Sequence, residues 1–177
     1  MTTPTAQRSL LLLRHAKAEQ TQGRPDHGRE LAPRGRDDAR LVGRWLGDPS
    51  RAVTPDLVIC STSERTRQTL EGLVAGGASV GEVRFDERIY DASSASLLDV
   101  LLEVQDSIDS VLLIGHAPGV PMLATALAMD DAGSTEALER LSTSFPTCGL
   151  AILGFEGRWA ALTPETAHLR EFVVLRG

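Results

Sequence analysis

Short apolar runs alternate with stretches of helical periodicity along the first three quarters of this chain. Four runs predict strands, at residues 9–13, 56–60, 80–85 and 111–114. The first two are predicted to be buried, whereas the third alternates between apolar and polar residues. Amphipathic or apolar stretches predict the helices between and after them, at 33–46, from the polar segment 61–64 to the glycines at 76 and 77, at 95–104 and at 118–129. This alternation is typical of an α/β domain, a three-layer sandwich with a mostly parallel central sheet.

The pattern changes towards the C-terminus. A short exposed helix is predicted at 134–141. Two apolar stretches, 150–155 and 158–162, flank Glu156-Gly157 and predict a β-hairpin, and 168–175 is expected to form an edge strand. We therefore expect a single domain over residues 1–177 with a flexible N-terminal segment at 1–8.

Composition narrows the function classes. The formal net charge of −6 argues against a general nucleic-acid or membrane-surface binder, because such binding requires a basic face. The N-terminus lacks the apolar core of a signal peptide and no apolar run approaches the ~20 residues that span a bilayer, so a cytoplasmic location is expected. Cys60 and Cys148 lack CxxC spacing and predict reduced thiols. No HxH, HExxH or clustered Cys/His spacing occurs, so no metal site is expected.

Two of the predicted strands are followed directly by histidine. His15 comes after the first strand and is preceded by Arg14, while His116 follows the fourth strand. The second strand is followed by a polar segment that runs from Ser61 to Arg65. Since the carboxyl ends of the strands form the ligand crevice of open α/β sheets, these groups are expected to lie together. Imidazole is a capable nucleophile and guanidinium groups bind phosphoryl oxygens, so the residues predict phosphoryl transfer through a phosphohistidine.

These motifs resemble the signatures of the histidine phosphatase superfamily. The matching segments are Arg14-His15-Ala16, Ser61-x-x-x-Arg65-x-x-x-Thr69 and Gly115-His116, which are similar to RHG, SxxxRxxQT and GH. Residues 10–17 followed by 26–35 resemble the SixA-type branch, small phosphohistidine phosphatases that act on phosphorelay proteins. The resemblance covers nearly the whole chain, and it implies the histidine phosphatase (phosphoglycerate mutase-like) fold.

The resemblance also implies roles for individual residues and a reaction that needs no cofactor. His15 would attack phosphorus, with Glu87 as the first candidate for the general acid and Asp91 as the second. The residues expected to contact the substrate are Arg14, Arg65, His116, Ser61 and Lys17. Ala16 stands where the family has glycine, which requires a backbone conformation that accepts a β-carbon. Gln68 and Thr69 are expected to serve helix packing.

The substrate is expected to be a phosphorylated protein or a small phosphorylated molecule. Little chain separates Tyr90 from the next strand, so no large lid is expected, although His27 and Arg29 are candidates for the pocket mouth. The protonated imidazole of a phosphohistidine leaves readily as a neutral amine, whereas an alkoxide leaving group needs a proton. The leading hypothesis is therefore a SixA-like protein phosphohistidine phosphatase. A small-molecule or nucleotide-linked phosphate ester phosphatase and a noncatalytic phosphate-binding module are the alternatives.

Overall fold

Strands and helices alternate over the first 127 residues, as the apolar pattern predicts. The computed structural model describes residues 7–20, 23–51, 53–129 and 135–177. Its strands are β1 (Gln7–Arg14), β2 (Leu57–Ser61), β3 (Glu82–Asp86), β4 (Ser110–Gly115), β5 (Leu150–Glu156) and β6 (His168–Val173). Its α-helices are α1 (Pro33–Leu46), α2 (Glu64–Gly76), α3 (Ser94–Leu102), α4 (Gly119–Leu127) and α5 (Thr135–Thr143).

The six strands of the described ranges join one mixed, mostly parallel sheet. Their order is β3-β2-β4-β1-β5-β6. The first four strands in this order pair in parallel, whereas β5 runs antiparallel to both β1 and β6. Because β1 lies inside the sheet between β4 and β5, its backbone is hydrogen-bonded on both edges. The predicted α/β fold with a mostly parallel sheet is confirmed.

The run of four leucines in β1 supplies both faces of the sheet. Leu10 and Leu12 point to one side and pack in a core with residues of α3 and α4, while Leu11 and Leu13 point to the other and pack against α1 and α2. None of the four side chains is exposed, since successive side chains of a strand alternate between two covered faces. The result is the expected three-layer arrangement.

The predicted hairpin at 150–162 is wrong. Residues Trp159–Ala161 form a 3₁₀ turn, and both edges of β5 are taken by β1 and β6. Trp159 is fully buried, and its indole nitrogen donates to the carbonyl oxygen of Ile108 at 2.7 Å. An apolar residue can thus be buried by a turn that folds onto the core as well as by a strand.

The N-terminal expectation also needs correction. Gln7 and Arg8 belong to β1, and the guanidinium of Arg8 is buried and donates to the carbonyl oxygen of Gly157 at 2.7 Å. The remainder of the segment expected to be flexible lies outside the described residues. Both cysteines are buried free thiols. Within the described ranges, no helix is long and apolar enough to cross a membrane.

Candidate active site

The candidate site lies where three neighbouring strands, β2, β4 and β1, reach their carboxyl ends. β1 ends at Arg14 and β4 at Gly115, so that His15 and His116 follow side by side. The backbone N–H of His15 donates to the carbonyl oxygen of Gly115 at 3.0 Å, and the two imidazole centroids are 5.2 Å apart. Arg65 lies in the first turn of α2, which begins just after β2. The structure therefore brings the two histidines and this arginine together.

The tautomer of His15 follows from its hydrogen bonds. Nδ1 lies 2.7 Å from the carbonyl oxygen of Ala16, which can only accept, so Nδ1 carries the proton. Nε2 is then the unprotonated nitrogen, and Nε of Arg65 donates to it at 3.3 Å. Burial, followed by the charges of Arg65 and Arg14, lowers the pKa of His15 to about 4. The imidazole is neutral at pH 7 and presents the lone pair of Nε2 to the site.

Arg65 connects the two histidines with a surface loop. Its guanidinium is buried, and its Nη2 lies 3.3 Å from Nδ1 of His116. Nη1 donates to the carbonyl oxygen of Asp26 at 2.6 Å, and Nη2 also donates to Oδ2 of Asp26 at 3.0 Å. Both imidazoles and one carboxylate thus converge on a single planar cation.

His116 is oriented from both ring nitrogens. Since Nδ1 accepts from Arg65, Nε2 carries the proton and donates to Oγ of Ser61 at 2.8 Å. Burial, followed by the charges of His15 and Arg65, lowers the pKa of His116 to about 3. Ser61 is fully buried, and its hydroxyl accepts from His116. A direct contact between Ser61 and the substrate stays a prediction.

Arg14 has unused donor capacity in a partly buried position. Its Nη1 donates to the carbonyl oxygen of Phe145 at 2.9 Å. Its Nε is buried and has no hydrogen-bond partner among the described residues. Removal from water lowers the pKa of Arg14, although a guanidinium stays charged in proteins. A buried donor without an acceptor is costly, and an anion bound beside His15 would satisfy it.

Asp26 and Tyr90 belong to the same cluster, although sequence reasoning gave neither a role. The hydroxyl of Tyr90 donates to Oδ2 of Asp26 at 2.7 Å, and Nη1 of Arg29 donates to Oδ1 at 3.0 Å. These two hydrogen bonds, ahead of the contact with Arg65, hold the pKa of Asp26 well below its usual range. The Tyr90 ring lies edge-on to His116, with centroids 5.4 Å apart. The available signal was that Asp26 falls in residues 26–35, a segment that carries the family resemblance.

The loop after β1 is held by side chains of α2. Thr69 accepts from the backbone N–H of Ala16 at 3.0 Å and donates to the carbonyl oxygen of Arg65 at 2.6 Å. Gln68 accepts from the backbone N–H of Leu31 at 2.8 Å. Ala16 is fully buried and is not among the described non-glycine residues with positive φ, so its backbone accepts the β-carbon. Gln68 and Thr69 therefore position the site besides packing the helix.

Three other predicted residues have weaker connections. Lys17 is exposed and contributes its backbone carbonyl, which accepts from Ala32, and Glu87 is exposed in the turn after β3. No hydrogen bond or ion pair joins the side chain of Lys17 or Glu87 to another described residue. His27 lies at the site edge, where its ring contacts Tyr90 with a centroid distance of 4.8 Å. The substrate contact of Lys17 and the acid role of Glu87 stay predictions.

No cluster of three or more His, Cys, Asp and Glu side chains is placed to hold a metal ion in the described part of the chain. The expected independence of metal is a separate prediction, which activity measurements with a chelator would test.

Comparisons with known proteins agree with this geometry. The sequence profile of the histidine phosphatase superfamily (branch 1) matches residues 10–94. An uncharacterized protein of Mycobacterium tuberculosis is 39% identical over 164 residues, which cover 93% of this chain and 100% of the relative. The structure of the putative phosphohistidine phosphatase SixA from Nakamurella multipartitia is 32% identical, with a TM-score of 0.82 over 97% of this chain and 98% of that one. Its counterpart from Agrobacterium tumefaciens is 28% identical, with a TM-score of 0.74 over 98% and 100% of the two chains.

The fold, the paired histidines and these relatives define a phosphatase, a hydrolase of phosphorylated compounds, and the chain belongs to the histidine phosphatase superfamily. Within the superfamily it falls in the SixA-type branch, as the sequence resemblance implied.

Proposed function

We propose that this phosphatase hydrolyses phosphohistidine on a partner protein through a covalent intermediate on His15. The observation that carries the proposal is that both ring nitrogens of His15 are engaged in hydrogen bonds. Its Nδ1 proton is bound by the carbonyl oxygen of Ala16, and its Nε2 lone pair faces the buried guanidinium of Arg65. A fixed tautomer and a low pKa keep this nitrogen nucleophilic at neutral pH.

In the first step, Nε2 of His15 attacks phosphorus and the bond from phosphorus to the leaving group breaks. Arg14, Arg65 and His116 bind the phosphoryl oxygens, where negative charge must be stabilised in the transition state. Arg14 contributes its unpartnered Nε, whereas Arg65 and His116 redirect donors that now bind protein acceptors. In the second step water attacks phosphorus, inorganic phosphate leaves and His15 is regenerated.

Leaving-group chemistry supports phosphohistidine as the substrate class. A phosphorylated imidazole that carries a proton on its other nitrogen departs as neutral imidazole, without a general acid. Glu87, the predicted acid, forms no side-chain hydrogen bond or ion pair with the described site, and the Asp26 carboxylate is ionised at neutral pH. The similarity to two structures named as putative SixA phosphohistidine phosphatases supports the same substrate class.

The first prediction concerns the nucleophile. Replacing His15 with Ala should lower phosphate release by at least about a thousandfold, because the imidazole that forms the proposed covalent intermediate is removed. The measurement compares a chemically phosphorylated polyhistidine peptide with p-nitrophenyl phosphate, with chelator present and absent. Wild-type protein should also yield an acid-labile, base-stable phosphoenzyme. His168→Ala, an exposed histidine at the start of β6, serves as the matched control and should retain wild-type turnover.

Each alternative function gives a different result when an alkyl phosphate ester and the Glu87→Gln variant are added to this experiment. Preference for alkyl phosphate esters, with loss of ester turnover in Glu87→Gln, would favour an ester phosphatase in which Glu87 protonates the leaving oxygen. Phosphate binding without turnover or phosphoenzyme would favour a noncatalytic binding module. Unchanged turnover in His15→Ala would refute the covalent mechanism.

A further inference from the structure

The network of His15, Arg65 and His116 also contains the carboxylate of Asp26, to which sequence reasoning gave no role. Asp26 lies in the 3₁₀ turn Asp26–Gly28, in the loop between β1 and α1. We propose that Asp26 is the general base that activates the water molecule hydrolysing phospho-His15. This inference rests on the proposed function and assigns its second chemical step.

The first support is the placement of the carboxylate by three donors. Oδ2 accepts from the Tyr90 hydroxyl at 2.7 Å and from Nη2 of Arg65 at 3.0 Å, while Oδ1 accepts from Arg29 at 3.0 Å. The guanidinium of Arg65 also donates through its Nε to Nε2 of His15. One planar group therefore separates the carboxylate from the nitrogen that would carry the phosphoryl group.

The second support is access to solvent. The Asp26 side chain is 53% exposed, whereas Arg65, which holds it, is 7% exposed. A base for hydrolysis must be reached by water and still have a fixed position relative to phosphorus. Asp26 combines both properties, because its partners are anchored in the site while its own carboxylate borders solvent. The carboxylate of Glu87 is also exposed, but it forms no hydrogen bond or ion pair with another described residue.

Hydrolysis of phospho-His15 moves one oxygen atom, one electron pair and one proton. The oxygen of water forms a bond to phosphorus, and the bond between phosphorus and Nε2 of His15 breaks with its electron pair returning to Nε2. Because Nδ1 keeps the proton that the Ala16 carbonyl binds, His15 leaves as neutral imidazole. The proton lost by water passes to the Asp26 carboxylate, which afterwards releases it to solvent. The products are hydrogen phosphate and the resting enzyme.

Arrival of the phosphoryl group changes the surroundings of Asp26 in the required direction. In the resting site the hydrogen bonds from Tyr90 and Arg29, followed by the contact with Arg65, lower the pKa of Asp26, so its carboxylate is a weak base. When Arg65 turns its donors to the phosphoryl oxygens, the carboxylate loses part of this stabilisation and gains an anionic neighbour. Both changes raise the proton affinity of a carboxylate. Tyr90 continues to hold Asp26 in place.

The test separates the two chemical steps in Asp26→Asn. The amide keeps the size and the acceptor oxygen of the side chain but cannot take a proton. With p-nitrophenyl phosphate and rapid quenching, nitrophenol release in the first turnover should stay within about threefold of wild type. Hydrolysis of the phosphoenzyme should slow by about a hundredfold or more, the usual contribution of a general base, so phospho-His15 accumulates. Hydroxylamine, a nucleophile that needs less activation, should restore dephosphorylation more in the variant than in wild type.

Glu30→Gln is the matched control, since Glu30 is a carboxylate of the same loop whose partners are Arg24 and Arg36. It should hydrolyse the phosphoenzyme at the wild-type rate. Wild-type hydrolysis in Asp26→Asn would overturn the assignment, and so would equal slowing of both steps, which would make Asp26 a positioning residue for Arg65. Absence of any phosphoenzyme in the wild-type protein would instead refute the proposed function itself.

Discussion

The two arginines predicted to bind phosphate differ in burial and in the hydrogen-bond partners of their donors. Arg65 is buried, and its donors are taken by His15, His116 and the loop residue Asp26. Arg14 makes one side-chain hydrogen bond to a backbone carbonyl and keeps a buried Nε without a partner in the described structure. Binding an anion therefore adds a contact at Arg14, whereas at Arg65 it exchanges one set of acceptors for another.

In the proposed mechanism, this difference gives the two guanidinium groups separate roles. Because Arg65 contacts both imidazoles, in the proposed mechanism it orients the nucleophile as well as the phosphoryl group. Arg14 has no side-chain hydrogen bond to either histidine in the described structure and influences His15 through its charge. Loss of Arg65 should therefore damage catalysis more deeply than loss of Arg14.

The largest effect is expected for Arg65→Ala. We predict a fall in kcat/KM of about a thousandfold, at the upper end for removal of one transition-state donor, because positioning of His15 and His116 is lost as well. Arg65→Lys retains the charge but not the planar fork of donors, so it should recover little activity. Steady-state kinetics on the phosphorylated polyhistidine peptide measures both variants. If kcat/KM falls no further than in Arg14→Ala, Arg65 does not have the additional positioning role proposed for it.

A smaller effect is expected for Arg14→Ala. The variant loses one oxyanion donor and leaves the hydrogen bonds among Arg65, His15 and His116 in place, so kcat/KM should fall by about a hundredfold. Chemical denaturation should show little loss of stability, because the wild-type site already contains an unpartnered buried donor. A denaturation midpoint that drops as in a core cavity variant would show that Arg14 is mainly structural.

The contrast also explains what could be predicted from the sequence. The histidines and Arg65 follow strands whose apolar runs are unambiguous, so their convergence at one sheet edge could be inferred from local patterns. Asp26 lies in a polar loop without periodicity, and its contact with Arg65 depends on how residues 23–32 fold back across the site. The error at 158–162 has the same origin, because an apolar pattern reports burial and not the backbone shape that achieves it.

The smallest expected effects concern pH. Burial is the main cause of the lowered pKa values of about 4 for His15 and about 3 for His116, so neither imidazole titrates near 6.5. The acid limb of kcat/KM from nucleophile protonation should thus lie near pH 4. Below pH 6.5 the unfolded chain binds protons that the folded site refuses. The stability linked to these histidines is present above pH 6.5 and is lost as pH falls towards 4 and 3.

Titration of the imidazoles by NMR would separate the effects of the two arginines on the pKa values of His15 and His116. The charge of Arg65 lowers the pKa of both histidines, whereas Arg14 contributes at His15. Arg65→Ala should therefore raise both pKa values, while Arg14→Ala should raise that of His15, by less, and leave that of His116 nearly unchanged. Since burial persists in both variants, each value should stay below 6.5. Equal shifts of His116 in the two variants would mean that the arginines act as one diffuse positive field, and the division of labour between them would be wrong.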